Sequence, residues 1–282
     1  MNNNTVPVCY CGNKRIFGGI FLSVLSILKH THSALDIILL TMDLSDKNPS
    51  WLPFSEEQRA LLEKTVQSVN SDSRVRIIDV GEYQEKFFSK GKNNKNNYTP
   101  YASIRLFLDL LDVPEKIVYL DADVMCSSDI LEYYSIDIEE YEIGATLDIV
   151  GRKFFRGQYC NSGVLLLNMK KIRETGLFER ARLRVKNKWM MMPDQSAINK
   201  ECKQKLVLPY RFNEQREIKE DTVFKHFCMG YKWRGPILTS YNIKQWQREL
   251  VHSVLKIHDY DDIYAQYDKI IEQGNNRELI EI

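Results

Sequence analysis

The sequence predicts an α/β fold built on a mainly parallel central sheet. Short apolar runs rich in β-branched residues alternate with helical patterns through the first two thirds of the chain. Neither an internal repeat nor a Pro/Gly/Ser-rich linker divides it. One apolar run, at 117–120, leads directly into paired acids, and the carboxyl ends of parallel strands are where α/β sheets bind ligands.

In chain order, the first strand is expected at Val6–Cys11, with Cys9 and Cys11 on one face. A helix follows over Gly18–His30. The longest near-apolar stretch, Ile16–Leu28, falls on it and has 13 residues, whereas a membrane span needs about 20. The second strand is expected at Asp36–Met42, and Ser55, Glu56 and Glu57 signal the start of a helix over Ser55–Val69. Strands at Val75–Val80 and Lys116–Leu120 flank a polar segment, KGKNNKNN over 90–97, and a helix over Tyr101–Leu111. The polar segment reads as a surface loop or as a flap over a site. Further strands are expected at Glu142–Thr146 and Gly163–Asn168, with a helix over Ile172–Lys188. From Tyr241 the chain reads as helical to near Gly274, and its last 24 residues hold seven acids against Lys269 and Arg277.

Composition excludes several functions. The 282 residues carry 39 Lys+Arg and 38 Asp+Glu, a formal charge of +1. A near-zero balance argues against nucleic acid as a partner, since polyanion affinity rests on many cationic contacts to phosphate. Length excludes a disulfide-stapled miniprotein, and the six scattered cysteines read as reduced thiols. Residues 152–188 hold eleven Lys+Arg against Glu174 and Glu179, which reads as a solvated helix face or as a contact surface for an anionic or lipid-linked partner. The start, MNNNTVPVCY, lacks a basic region followed by an apolar stretch. The expectation is a cytoplasmic protein without a transmembrane segment, with a peripheral place at the inner membrane face and self-association left open.

The sharpest feature is IVYLDADVM over 117–125. A buried strand runs into Asp121, Ala122 and Asp123, and a two-residue period sends both carboxylates to the same side, about 7 Å apart. Two acids so close repel, and a divalent cation holding a diphosphate relieves that repulsion. The alternative is that they cap the helix SSDILEYY, for which Ser127 is the better cap.

With DADV, the segments CNSGVLLLN (160–168), PDQSAIN (193–199) and the His226–Phe227 pair follow in an order and spacing that resembles glycosyltransferase family 8. That group includes glycogenin and bacterial lipopolysaccharide galactosyl- and glucosyltransferases, and the resemblance runs from Val6 to about Trp246. It implies a single GT-A type, Rossmann-like domain over 1–240 with a helical extension over 241–282. It also implies that Asp121 and Asp123 bind Mn²⁺, or Mg²⁺, together with the nucleotide diphosphate, and that His226 is the third protein ligand. Taken alone, that histidine reads as a core residue. Cys11, Gly12 and Asn13 take the positions of the family's nucleoside loop, and no Asp stands where the family commonly has one. The resemblance assigns Arg105 to the donor phosphate or sugar and Asn161 to the sugar hydroxyls. Asp194 and Gln195 match the pair beside the anomeric carbon, and Asp148 matches an acid facing the sugar. Alone, Arg105 reads as a surface cation and Asp194 as a helix cap. The family's Lys-Pro-Trp closure is altered: Lys232 and Trp233 keep the spacing without Pro, whereas Lys244, Gln245 and Trp246 look like a displaced copy.

The implied function is metal-dependent transfer of a hexose from a UDP-sugar, UDP-glucose or UDP-galactose, to a glycan or lipid-linked hydroxyl, with retention. Gln195 is a poor nucleophile, which favours a front-face route over a covalent intermediate. Two rivals remain. A phosphatase of the haloacid dehalogenase type also places DxD after an apolar strand, with Val124 and Asp261–Asp262 filling its pattern, but on the first strand of its fold. A nucleotide-sugar binder or self-glucosylating protein is the other, and 15 tyrosines leave self-transfer open.

Overall fold

A computed structural model describes residues 5–93, 100–155, 157–234, 237–273 and 276–280. Positions 94–97 of the Asn-rich segment lie outside them. The elements are β1 (Val6–Cys11), α1 (Phe17–His30), β2 (Leu35–Thr41), α2 (Glu56–Gln67), β3 (Arg74–Asp79), α3 (Gly81–Phe88), a 3₁₀ helix (Pro100–Leu110), β4 (Lys116–Leu120), β5 (Val124–Cys126) and α4 (Leu131–Tyr134). They continue with β6 (Ile143–Leu147), α5 (Gly151–Phe154), β7 (Cys160–Asn168), α6 (Met169–Thr175), α7 (Leu177–Asn187), α8 (Pro193–Glu201), β8 (Lys205–Leu208), β9 (Phe224–His226), β10 (Gly230–Arg234) and β11 (Ile237–Tyr241). The short α9 (Arg248–Leu250), a π-helical turn (Val251–Leu255), α10 (Asp261–Gln273) and α11 (Arg277–Ile280) close the chain.

The sheet has seven strands in the order β3-β2-β1-β4-β7-β6-β8. All its pairings are parallel except those of β7 with β4 and β6. Side-chain alternation divides the interior into two layers. Val8, Tyr10, Val118, Leu120 and Leu166 face α1 and the C-terminal helices. Cys9, Cys11, Ile117, Tyr119 and Leu165 face the 3₁₀ helix, α7 and α8. Chain order runs from β1 through β2 to β3 on one side, and β4 joins β1 on the other, so a switch point lies between the ends of β1 and β4.

Several expected elements are corrected. The helix expected over Tyr101–Leu111 is a 3₁₀ helix. The one expected over Ile172–Lys188 is two helices, broken where Gly176 adopts φ 67°. The continuous helix from Tyr241 is replaced by the end of β11, a loop, short turns and α10. Those turns and α10–α11 pack into the α1 layer through Tyr260, Ile263, Tyr264 and Ile280. Ser127 does not cap α4: its hydroxyl lies 2.6 Å from that of Tyr260, while Asp129 Oδ1 accepts from the Leu131 N–H at 2.9 Å. The six cysteines are unpaired, as expected. None of the described helices is long and apolar enough to cross a membrane.

Ahead of β6, Glu142 is wholly buried and binds the Thr175 hydroxyl and the N–H groups of Lys203 and Gln204. Burial alone would raise its carboxyl, but these donors hold it below the usual range. A depressed carboxyl stabilises the fold above its unfolded pKa and loses that contribution as pH falls through the folded one. Glu142→Ala is therefore expected to cost about 2 kcal/mol in neutral denaturant titrations, because it breaks three hydrogen bonds to a buried carboxylate and leaves a gap in its place. Acid titrations should show the gap to the parent protein narrowing.

Candidate active site

At the end of β4 the chain turns at once. The Asp121 N–H donates to the Gly163 carbonyl of β7 at 2.7 Å, and the Val124 N–H donates to the Asp121 carbonyl at 3.2 Å. This turn, not a continued pleat, sets the spacing of the two carboxylates, so the 7 Å expectation is replaced by a closer approach. Antiparallel pairing of β5 with β9 places His226 opposite Val124, and the Phe227 N–H donates to the Asp123 carbonyl at 2.8 Å. One ligand atom each from Asp121, Asp123 and His226 thus lies within 4.8 Å of the others. The same residues leave no room for a side chain on the facing strand. A Cβ at Gly163 would stand 2.2 Å from His226 Cε1 and 2.9 Å from Asp121 Oδ2.

Surrounding groups fix these side chains. Asp121 Oδ1 accepts from Arg105 at 2.9 Å and from the Tyr119 hydroxyl at 2.8 Å, so Oδ2 is the oxygen turned toward Gly163 and His226. Arg105, 3% exposed, also donates to the Ser162 carbonyl, lies 3.4 Å from Asp194 Oδ2 and stacks over the Tyr119 ring at 4.1 Å. It is a buried organiser of acids, not the surface cation that it resembles in isolation. His226 is oriented by Asn213 Oδ1 at 3.2 Å from Nδ1, while Nε2 lies 3.2 Å from Asp123 Oδ1. The Lys244 ammonium binds Asp123 Oδ2 and the Phe227 carbonyl. Burial alone would raise Asp123, yet Lys244 and His226 hold it far below the usual carboxylate range. Gln245 donates to the Ala122 carbonyl, and the Trp246 ring lies against Gly19. Lys244 and Gln245 thus bind the acidic turn, while Trp246 packs against α1. The Lys232 side chain lies outside what the structure describes.

Beside this cluster, four polar residues form one buried network. Asp148 Oδ1 accepts from the N–H groups of Val150, at 2.9 Å, and Gly151; Oδ2 accepts from Asn161 at 2.9 Å and Gln195 at 3.0 Å. Gln195 Oε1 accepts from the Ser162 N–H at 3.0 Å. Asn161 Oδ1 accepts from Gly163 N–H at 2.9 Å and Asn213 at 3.0 Å. Asp194 sits in the first turn of α8, which has no side-chain cap, with its carboxylate toward Arg105 and Ser162. Burial pushes that carboxyl up, Arg105 opposes the rise and Asp121 adds to it.

Cys11 ends β1 and Gly12 and Asn13 follow it at the switch point; Gly12 is tied to β2 by its N–H to the Leu40 carbonyl, and Asn13 is buried. Ile149, Val150, Gln215, Phe227, Cys228 and Tyr241 are among the residues lining a cavity of about 680 Å³; its Val150 donates to Asp148 and its Phe227 directly follows His226 in the chain. The structure thus gathers Asp121, Asp123, His226, Arg105, Asn161, Asp148, Asp194, Gln195 and Lys244 around one strand end. Sequence reading missed Tyr119 and Asn213. A tyrosine inside a buried strand was a usable signal, since a buried hydroxyl requires a partner. Asn213 gave none.

The donor set suits a hard or borderline dication: two carboxylate oxygens and one imidazole converge, with Gly163 keeping the space between them clear. Comparisons with known proteins place the chain in a family. The family described as glycosyl transferase family 8 matches residues 7–234. A Haemophilus influenzae protein provisionally named a glycosyltransferase is 24% identical over 277 residues, covering 89% of this chain and 75% of that one. Glycosyltransferase GlyF of Streptococcus pneumoniae is 25% identical over 181 residues, 63% of this chain and 40% of its own length. Among solved structures, galactosyltransferase LgtC in complex with donor and acceptor sugar analogs superposes with TM-score 0.65 at 18% identity, over 94% of this chain and 96% of that one. The fold they share is the GT-A type.

Gly163→Ala is expected to weaken binding of Mn²⁺ by about 10- to 100-fold, by pushing His226 and Asp121 apart, and to lower the thermal melt by several degrees through the same overpacking. Calorimetric Mn²⁺ titration checks this, and undiminished affinity would show that the three ligands do not act as one site.

Proposed function

The chain belongs to glycosyl transferase family 8 and is a glycosyltransferase; from that premise we propose that it transfers a hexose from UDP-glucose or UDP-galactose to a hydroxyl of a glycan or lipid-linked acceptor, with retention and with Mn²⁺ as the preferred metal. The observation that carries this reading is the convergence of Asp121, Asp123 and His226 at the switch point, with a lysine already on Asp123. Asp121 and Asp123 would hold the cation through Oδ2 of the first and the carboxylate of the second, with His226 Nε2 as third donor. When bound, the cation offsets the charge of the leaving diphosphate. Lys244 supplies a second positive charge at the same place, and Cys11–Asn13 frame the nucleoside.

Retention by the front face is favoured by how the carboxylates are used. Asp148 is engaged by four donors, Asp194 by Arg105 and Ser162, and both amide atoms of Gln195 are bonded. These groups hold the sugar rather than attack it, and the departing phosphate takes the acceptor proton. The acceptor enters from the cavity walled by Val150, Lys153, Gln215 and Phe227.

Incubation with UDP-glucose or UDP-galactose and Mn²⁺ is expected to release UDP, and chelation to stop the release. Asp123→Asn should lower kcat by about 10²- to 10³-fold, and Lys244→Met by about 10²-fold with a smaller change in KM. NMR of the product should show the anomeric configuration of the donor; an inverted product, or a hexose trapped on Asp148 or Asp194, would sink the front-face route. Hexose-sized mass steps on the protein itself would mean self-transfer.

A further inference from the structure

Between β11 and α10 the backbone is irregular. A π-helical turn over Val251–Leu255 runs into Lys256, which adopts φ 60°. The Asp261 N–H then donates to the His258 carbonyl at 3.2 Å. Across this turn two imidazoles meet: the rings of His252 and His258 stack with centroids 4.5 Å apart and planes at 22°. Each turns a nitrogen to the same carboxylate, His252 Nε2 at 2.7 Å from Asp261 Oδ1 and His258 Nδ1 at 3.3 Å from Oδ2. A ligand atom from each of the three lies within 4.8 Å of the others. Nearby cations are engaged elsewhere, Lys29 with Asp262 and Arg248 with Asp268.

We propose that His252, His258 and Asp261 form a second metal site, separate from the strand-end cluster and selective for a borderline dication of the Zn²⁺ type. Two imidazoles and a carboxylate, with further positions open to water, are a ligand set that Zn²⁺ takes readily. The strand-end set has the opposite balance, two carboxylates and one imidazole, and suits Mn²⁺ or Mg²⁺ better. The chain thus offers two sites of different hardness. Entry is unhindered, because His258 and Asp261 side chains are 61% and 51% exposed. Leu255, Lys256 and Ile257, between the two histidines, line the 680 Å³ cavity. A cation held by His252 and His258 would therefore fix one wall of that cavity.

Calorimetric titration of the full chain with Zn²⁺ above the histidine pKa tests the assignment. The parent protein should bind one more equivalent than His258→Ala, or should bind that equivalent at least about tenfold more tightly. His258 is exposed enough that the variant should melt with the parent, and hydrogen exchange over 252–261 should slow with Zn²⁺ in the parent alone. Equal stoichiometry and affinity in the two proteins would overturn the site, leaving the trio as an ion-paired staple.

Discussion

Two carboxylates at the end of a buried strand impose the constraint around which this molecule is arranged. Asp121 and Asp123 repel, and each is compensated from a different part of the chain. Arg105 of the 3₁₀ helix and Tyr119 of β4 hold Asp121; His226 of β9 and Lys244 beyond β11 hold Asp123. The compensation is half-buried and hydrogen-bonded, so removing one partner leaves an acid without its counter-charge in a low-dielectric setting. The consequence for the fold is that segments more than a hundred residues apart must meet at one turn. The small β5–β9 sheet, outside the main sheet, exists at the place where that meeting occurs.

Around the charged centre stands a neutral frame. Asn161, Gln195, Ser162 and Asn213 hold Asp148, Asp194 and His226 through directed hydrogen bonds. Amides suit this task because each offers donors and acceptors in a fixed plane. A buried network of this kind is stable only when its members are satisfied, and here Asp148, Asn161 and Gln195 each have partners. The lysine differs from these amides: Lys244 brings a full positive charge to Asp123 as a compact ammonium on a four-carbon stem.

Much of this was legible in the sequence, for local reasons. β1 and β4 were readable to the residue because continuous apolar runs end at Gly12 and Asp121. The acidic turn, the Asn161 segment and Asp194–Gln195 were readable because each is a short motif next to a strand or helix end. What depended on distant pairing was not. His226 taken alone had the pattern of a core residue and was named only through the family resemblance; β5–β9 pairing is what brings it to Asp123. The choice between Lys232 and Lys244 could not be made from spacing, since a loop decides which lysine returns to the turn. The helix over Tyr101–Leu111 was readable, but not its 3₁₀ form, because the spacing of Ile104, Phe107 and Leu108 is that of an α-helical face. Gly176 was visible, but its role as a helix break requires knowing its φ.

The order of these segments along the chain has a consequence for biosynthesis. Domains assemble from the amino terminus while translation proceeds. β1, β4 and the acidic turn emerge well before His226 and Lys244. Until those residues arrive, Asp123 lacks both of its counter-charges and β5 lacks its partner strand. The nascent polypeptide therefore carries an acidic turn whose second carboxylate meets its counter-charges only after His226 and Lys244 have been synthesised.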